Sequence, residues 1–148
     1  FRGLWYFYNR YDYYISISNK APKKLQFIIA AGYTLCKELS DDLKFTSGII
    51  SSLKGLQDDS TRIQIDAALN HGNSGGPIVD ENTGKLVAVA VAGLRKEVTE
   101  AVNCGSKAGS VQKFLESNKI NLSTFSKSYR RGKIARILEK TVLYTFYK

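Results

Sequence analysis

The sequence predicts a mainly β protein: an antiparallel barrel or sandwich followed by one or two helices near the C-terminal end. Two observations support this fold class. Short apolar or alternating segments recur between residues 25 and 94, and turn-forming residues separate them. After residue 108 the alternation gives way to apolar residues at helical spacing.

The first three predicted strands follow from their side-chain patterns. Residues 25–33 form an apolar run that is typical of a buried strand. Residues 45–53 alternate and are rich in β-branched side chains, and Gly48 within them marks a candidate β-bulge. Residues 61–69 alternate isoleucine with polar residues, which indicates a half-buried strand.

A hairpin and two helical segments complete the predicted order. Residues 77–80 form a short strand, residues 81–84 a turn, and residues 85–94 the returning strand. Ser110 is predicted to cap a helix over residues 111–120. A polar linker follows, and the chain ends in a segment that alternates like a strand. Between them lies a helical stripe of Ile134, Ile137 and Leu138.

The net charge of +9 is concentrated near the C-terminal end. Residues 119–148 hold eight basic residues and one acidic residue, whereas residues 1–118 hold 14 basic and 12 acidic residues. A nearly neutral body argues against nucleic-acid binding. Residues 127–140 combine cations with an apolar stripe. This pattern fits a helix packed on the barrel, or one that docks on a membrane surface or an acidic partner.

Composition excludes several classes of protein. The sequence has no apolar run long enough to cross a membrane and no secretory signal, and it leaves the location of the protein open. Cys36 and Cys104 lie far apart, and no CxxC motif or His/Cys cluster could hold zinc, so we expect no metal or cofactor. We expect two free thiols, with a disulfide as the alternative in an exported protein. Because the chain begins with Phe1 and contains no Met, we expect a processed chain or a fragment.

One loop carries candidate chemistry. Residues 72–76 read Gly-Asn-Ser-Gly-Gly and lie between a predicted strand and a predicted hairpin. The glycines permit a tight turn in which the N–H groups of Gly72 and Ser74 converge on one point. Such a donor pair forms an oxyanion hole beside the Ser74 hydroxyl, where negative charge develops during attack on a carbonyl. The alternatives are a flexible turn or a phosphate-binding loop, and the latter lacks its GK[ST] signature.

With these residues the sequence resembles the trypsin-like (chymotrypsin-fold) serine peptidases, in particular their HtrA/DegP-like branch. The resemblance covers residues 25–118 and only the second, Greek-key barrel of that family. It implies that Ser74 is the nucleophile and that the Gly72 and Ser74 N–H groups form the oxyanion hole. It also implies that a peptide or protein substrate pairs with Val91, Ala92 and Gly93. Residues 1–24 would then be an irregular N-terminal segment, and residues 119–148 a basic extension. The bacterial periplasm or secretion would suit the resemblance.

Several residues differ from the family pattern, and the roles of others are inferred from their positions in it. The catalytic His and Asp of the family lie on a first barrel, which these 148 residues do not include. The sole histidine, His71, is expected at the rim of the oxyanion hole, with a Ser–His pair or a substrate contact as alternatives. Asp66 is expected to brace the loop. Ala68, in place of a pocket charge, favours small or apolar substrate side chains. Thr34 and Cys36 stand where the family has Pro and Gly.

Two functions of different class follow. The first is a serine endopeptidase that cleaves peptide bonds through Ser74, which we expect to be incomplete and inactive in this chain alone because the triad His and Asp are absent. The second is a noncatalytic peptide-binding or structural remnant whose basic tail docks to a membrane or a partner.

Overall fold

The computed structural model describes residues 13–33, 42–91, 102–122 and 126–142. They form six strands and two helices, and a short 3-10 turn at Leu56–Asp58 lies between the second and third strands. The elements are β1 (Phe27–Gly32), β2 (Lys44–Ser52), β3 (Arg62–Ile65), β4 (Pro77–Asp80), β5 (Leu86–Val91), β6 (Asn103–Lys107), α1 (Ala108–Ser117) and α2 (Arg131–Thr141).

The six strands close into an antiparallel barrel in the order β1-β2-β3-β6-β5-β4, with β4 returning to pair with β1. This confirms the mainly β fold class and the barrel of trypsin-like type with C-terminal helices. Consecutive strands are neighbours except at β3 and β4, so the connection between them crosses one end of the barrel. That connection, residues 66–76, contains the glycine-rich loop.

The barrel interior is filled mainly by β-branched and small side chains, as the strand patterns predict. Alternate residues of β3 point inward, and the returning strand β5 contributes two small alanines, Ala88 and Ala90. These side chains form one contiguous core, consisting of Ile28, Ala30, Ile50, Ile63, Ile65, Ala67, Ile78, Val87, Ala88 and Ala90.

Two local predictions are wrong. Gly48 pairs in regular register with Ile28, and the irregularity of β2 lies between Ile50 and Ser52 instead. Ser110 does not cap α1, because the helix begins at Ala108, directly after β6. Its hydroxyl donates a hydrogen bond to the carbonyl oxygen of Thr61 at 3.4 Å.

Helix α2 packs its predicted apolar stripe against the outside of the barrel. Ile134, Ile137 and Leu138 are buried, and Leu138 is only 1% exposed. They share a second core cluster with Ala31, Leu43, Val79 and Tyr129. Within the described residues, neither helix has the length and apolarity required to cross a membrane. The strand-like segment predicted at the C-terminal end lies largely outside the described residues.

Candidate active site

The connection between β3 and β4 contains a tight turn, and backbone hydrogen bonds join this turn to β5. The Asn73 N–H donates to the Asn70 carbonyl oxygen at 3.0 Å, and the Gly76 N–H donates to the Asn73 carbonyl oxygen at 2.9 Å. Ala90 of β5 accepts a hydrogen bond from the Gly75 N–H and donates one to the Gly76 carbonyl oxygen, both at 2.8 Å. The loop is therefore held at a fixed position beside the end of β5.

Two glycines are required for different reasons. Gly72 has a φ of 99°, a left-handed conformation that L side chains rarely adopt. Gly76 has an ordinary φ, but a Cβ atom there would collide with the carbonyl oxygen of Ala31 in β1. The first glycine allows the turn, and the second allows it to lie directly against the barrel.

The hydrogen bonds of the loop leave two N–H groups uncommitted. The N–H groups of Asn73, Gly75 and Gly76 are all bonded, whereas those of Gly72 and Ser74 find no acceptor in the described part of the chain. The Ser74 side chain is exposed. A hydroxyl next to two available backbone donors has the chemical make-up of a nucleophile with an oxyanion hole.

Asn73 occupies the inner side of this loop, and the sequence analysis did not assign it a role. It is 5% exposed, and its Oδ1 has no hydrogen-bond partner among the described residues. The side chain packs so closely on β1 that a Cβ atom at Gly32 would lie 2.6 Å from Oδ1. The position of Asn73 between Gly72 and Ser74 is the sequence feature that could have indicated this. Neighbouring side chains of a turn point in different directions, so an outward Ser74 leaves Asn73 facing inward.

Asp66 lies at the start of the connection, where it contacts β2. Its carboxylate accepts a hydrogen bond from the Ile49 N–H at 2.6 Å. Two further bonds that the sequence analysis did not anticipate hold the next two carbonyl groups. Asn103 Nδ2 donates to the Ala67 oxygen, and Thr46 Oγ1 donates to the Ala68 oxygen, both at 2.9 Å. The structure therefore joins Asp66 to β2, and no hydrogen bond joins it to Ser74 among the described residues.

The remaining predicted site residues are placed only in part. His71 is exposed on the loop and makes no hydrogen bond to any residue that the structure describes. Val91 ends β5 and pairs with Cys104 of β6. Ala92 and Gly93 lie outside the described residues. The roles predicted for Ser74, Gly72, His71 and Asp66 stay predictions.

Comparison with known proteins identifies the family. The model of the trypsin-like peptidase domain matches residues 13–89. The chain is 36% identical over 93 residues to the uncharacterized protein y4bJ of Sinorhizobium fredii, which is 58% of this chain and 15% of that protein. It is 34% identical over 86 residues to the chloroplastic Protease Do-like 2 of Arabidopsis thaliana, which is 55% of this chain and 14% of that protein.

Two solved structures that are similar to this chain are proteases. A serine endoprotease from Yersinia pestis is 28% identical with a TM-score of 0.56, covering 70% of this chain and 34% of that one. The HtrA-type protease AlgW, solved with a tripeptide, is 22% identical with a TM-score of 0.55, and the match covers 70% of this chain and 35% of AlgW. At this identity the likeness shows the fold alone. The chain spans about a third of these structures and less than a sixth of the curated relatives. It belongs to the trypsin-like peptidase domain family, and within that family it resembles the HtrA-type proteases.

Proposed function

We propose that this chain carries the nucleophile half of a serine endopeptidase site, with Ser74 as the nucleophile. The observation that carries the proposal is the exposed Ser74 side chain between bonded neighbours, with the N–H groups of Gly72 and Ser74 left available. Membership of the trypsin-like peptidase family supports it.

In the proposed reaction the Ser74 Oγ bonds to the scissile carbonyl carbon while a base takes its proton. The Gly72 and Ser74 N–H groups stabilise the resulting oxyanion, and losing one such donor typically costs about two to three orders of magnitude in rate. The base then returns the proton to the leaving amine, and water hydrolyses the acyl-enzyme ester.

The substrate is proposed to extend the edge that begins at Ala90. On this side of β5, Ala90 is already bonded to Gly75 and Gly76 of the loop. An extended peptide added beyond it, along Val91, Ala92 and Gly93, would continue the same line of backbone hydrogen bonds. This arrangement would present the scissile carbonyl to Ser74.

The proposed reaction requires a general base that deprotonates the Ser74 hydroxyl. A general base must lie within about 2.6–3.2 Å of the hydroxyl that it deprotonates. The sole histidine is His71, which is exposed and is three residues from Ser74 on the same tight loop. We therefore propose that the triad His and Asp come from outside these 148 residues, and that the chain alone is a poor catalyst.

A noncatalytic peptide-binding domain is the second candidate. The solvent-exposed position of His71, with no carboxylate bonded to it among the described residues, favours this candidate. In that case the same loop and the end of β5 would bind an extended peptide without cleaving it.

Labelling with a fluorophosphonate probe tests the proposal. The wild type is compared with Ser74→Ala, with His71→Ala, and with Ser51→Ala, which removes an exposed hydroxyl of β2 as a matched control. We expect slow labelling that Ser74→Ala abolishes and that Ser51→Ala and His71→Ala leave unchanged. Added imidazole, which supplies a base, should accelerate it.

The outcomes separate the candidates. Labelling that His71→Ala abolishes would make His71 the base. If no Ser74-dependent labelling occurs at any imidazole concentration, the peptidase proposal fails. Peptide binding that persists in Ser74→Ala under those conditions would then support the noncatalytic domain.

A further inference from the structure

A cavity of about 550 Å³ lies between the N-terminal end of α2 and the segments packed against it. Residue Tyr13 forms one wall, residues 127–130 form the second, and Lys133, Arg136 and Ile137 of α2 form the third. This volume is within the range of small-molecule sites in proteins, about 300–1,000 Å³. The positive charge of this region is evident from the sequence, whereas the cavity is not.

The cavity is lined by four cations and no acidic residue, the cations being Lys127, Arg130, Lys133 and Arg136. In the described part of the chain, none of them pairs with a carboxylate. The nearby carboxylate of Glu81 is already bonded to Arg131 at 2.6 Å, and Arg131 does not line the cavity. All four side chains are exposed, so solvent and salt screen part of their mutual repulsion, and a bound anion would relieve the rest.

The start of α2 adds to the positive potential. Helices favour acidic or capping side chains at their N-terminal end, where unsatisfied N–H groups and the helix dipole are positive. Here Arg130 precedes the helix without any side-chain cap, and the first turn holds no acidic residue. Placing Arg130 and Lys133 at this end is electrostatically unfavourable unless an anion is bound there.

The walls of the cavity are fixed by hydrogen bonds. Ser16 Oγ accepts the Lys127 N–H at 2.8 Å, and the Tyr129 hydroxyl donates to the Tyr14 carbonyl oxygen at 3.1 Å. The Tyr129 N–H donates to the Thr83 carbonyl oxygen at 2.7 Å, in the turn between β4 and β5. Because the extended segment is bonded on both sides, its backbone is held in place before any ligand arrives.

The apolar side of α2 is not available to a membrane. Ile134, Ile137 and Leu138 are buried against the barrel, so the helix cannot insert its apolar stripe between lipid tails. What this region offers a partner is charge, together with the rings of Tyr13 and Tyr129 at the cavity wall. Lys127 Nζ lies 5.4 Å from the Tyr129 ring centre, so the ammonium is close to a second residue that lines the cavity.

From these observations we propose that the cavity binds a phosphate-bearing anion. A phosphate group carries about 1.5–2 negative charges in a compact volume, whereas a carboxylate carries one, and a cavity lined by four cations matches the former. The planar guanidinium groups of Arg130 and Arg136 suit bidentate contacts to phosphate oxygens. The tyrosine rings would contact the organic part of the ligand. This proposal does not depend on the proposed peptidase chemistry.

Tripolyphosphate binding measured by isothermal titration calorimetry tests the site. The Lys133→Gln, Arg136→Gln double variant removes two lining charges. The matched control is Lys113→Gln, Lys119→Gln, which removes two exposed charges outside α2 on residues that do not line the cavity. Since hydrogen bonds to charged groups are strong, we expect the lining variant to weaken binding by about tenfold or more. The control should change the affinity by less than about twofold, because exposed charges at a distance are screened.

Vesicles of phosphatidylcholine with phosphatidic acid distinguish the source of the phosphate. Sedimentation that depends on the lining residues and that tripolyphosphate inhibits would assign the site to a lipid headgroup. Binding of tripolyphosphate without such sedimentation would assign it to a soluble phosphate compound. Equal weakening by both double variants, or no tripolyphosphate binding, would overturn the proposal. So would a glutamate-rich peptide that binds through the same residues while tripolyphosphate does not.

Discussion

Replacing Gly76 by alanine tests whether the nucleophile loop really lies against β1. The added Cβ atom would collide with the Ala31 carbonyl oxygen and would lie 2.9 Å from the Asn73 carbonyl oxygen. Both obstacles are backbone atoms, one in a barrel strand and one in the loop itself, so neither moves at low cost. Overpacking of this kind typically costs about 1–3 kcal/mol.

Gly109→Ala is the matched control, because it makes the same chemical change where nothing lies within 4 Å of the added atom. Gly109 is inside α1, where alanine is favoured over glycine by about 0.5–1 kcal/mol. We therefore expect Gly76→Ala to destabilise the protein and Gly109→Ala to stabilise it slightly. For a chain of 148 residues, each kcal/mol shifts the melting temperature by about 2–4 °C.

The assay is urea and thermal unfolding followed by far-UV circular dichroism, with fluorophosphonate labelling of the same samples. Gly76→Ala should melt about 2–12 °C below the wild type and should label more slowly, because the loop must move away from β1. If Gly76→Ala is as stable as the wild type, the loop does not contact Ala31 and the reasoning fails. If Gly109→Ala loses as much stability, the effect is not specific to the loop.

Three further predictions concern packing and ionisation. Leu138→Ala should destabilise the protein by about 2–5 kcal/mol in urea unfolding, since Leu138 is 1% exposed, whereas exposed Glu139→Ala should change it by less than about 0.5 kcal/mol. Hydrogen bonds from the Thr61 hydroxyl and N–H lower the pKa of Asp59. The stability that these bonds provide is present above the unfolded pKa and is lost as the pH falls through the folded pKa. Because Thr61→Val removes the hydroxyl donor, it should raise the Asp59 pKa in an NMR titration. An unchanged pKa would contradict the assigned cause. Burial raises the pKa of the Cys104 thiol, so a thiol reagent at neutral pH should modify Cys104 only after urea unfolding, and rapid reaction in the native protein would refute its burial.

Much of the barrel was predictable because its strands carry their pattern locally. Alternation in residues 61–69 and the apolar runs elsewhere determine which side chains face the core. The strand β3 is nevertheless shorter than predicted, because the backbone leaves the ladder at Asp66, whose side chain bonds to Ile49. No local pattern encodes such a contact between residues 17 positions apart.

Tertiary contacts account for the features that the sequence did not indicate. The N-terminal segment was expected to be irregular, yet its described part forms a parallel bridge between Ile17 and Leu86 and packs Tyr13 and Ile15 against the second core cluster. The cavity needs two segments that are distant in the sequence, Tyr13 and residues 127–137. The burial of Asn73 depends on the close approach of the loop to Gly32. Each is a consequence of packing rather than of periodicity.

The loop separates the groups that hold its shape from the group proposed to react. Its position is determined by backbone hydrogen bonds to Ala90 and by the close approach of Gly76 to Ala31, and neither involves a functional side chain. The Ser74 side chain is exposed and makes no hydrogen bond among the described residues, so its hydroxyl contributes little to stability. A peptidase ancestor could therefore lose the reaction by losing its base while the loop kept its geometry. The same loop shape is compatible with an active half-site and with a peptide-binding remnant, and only the chemistry of Ser74 distinguishes them.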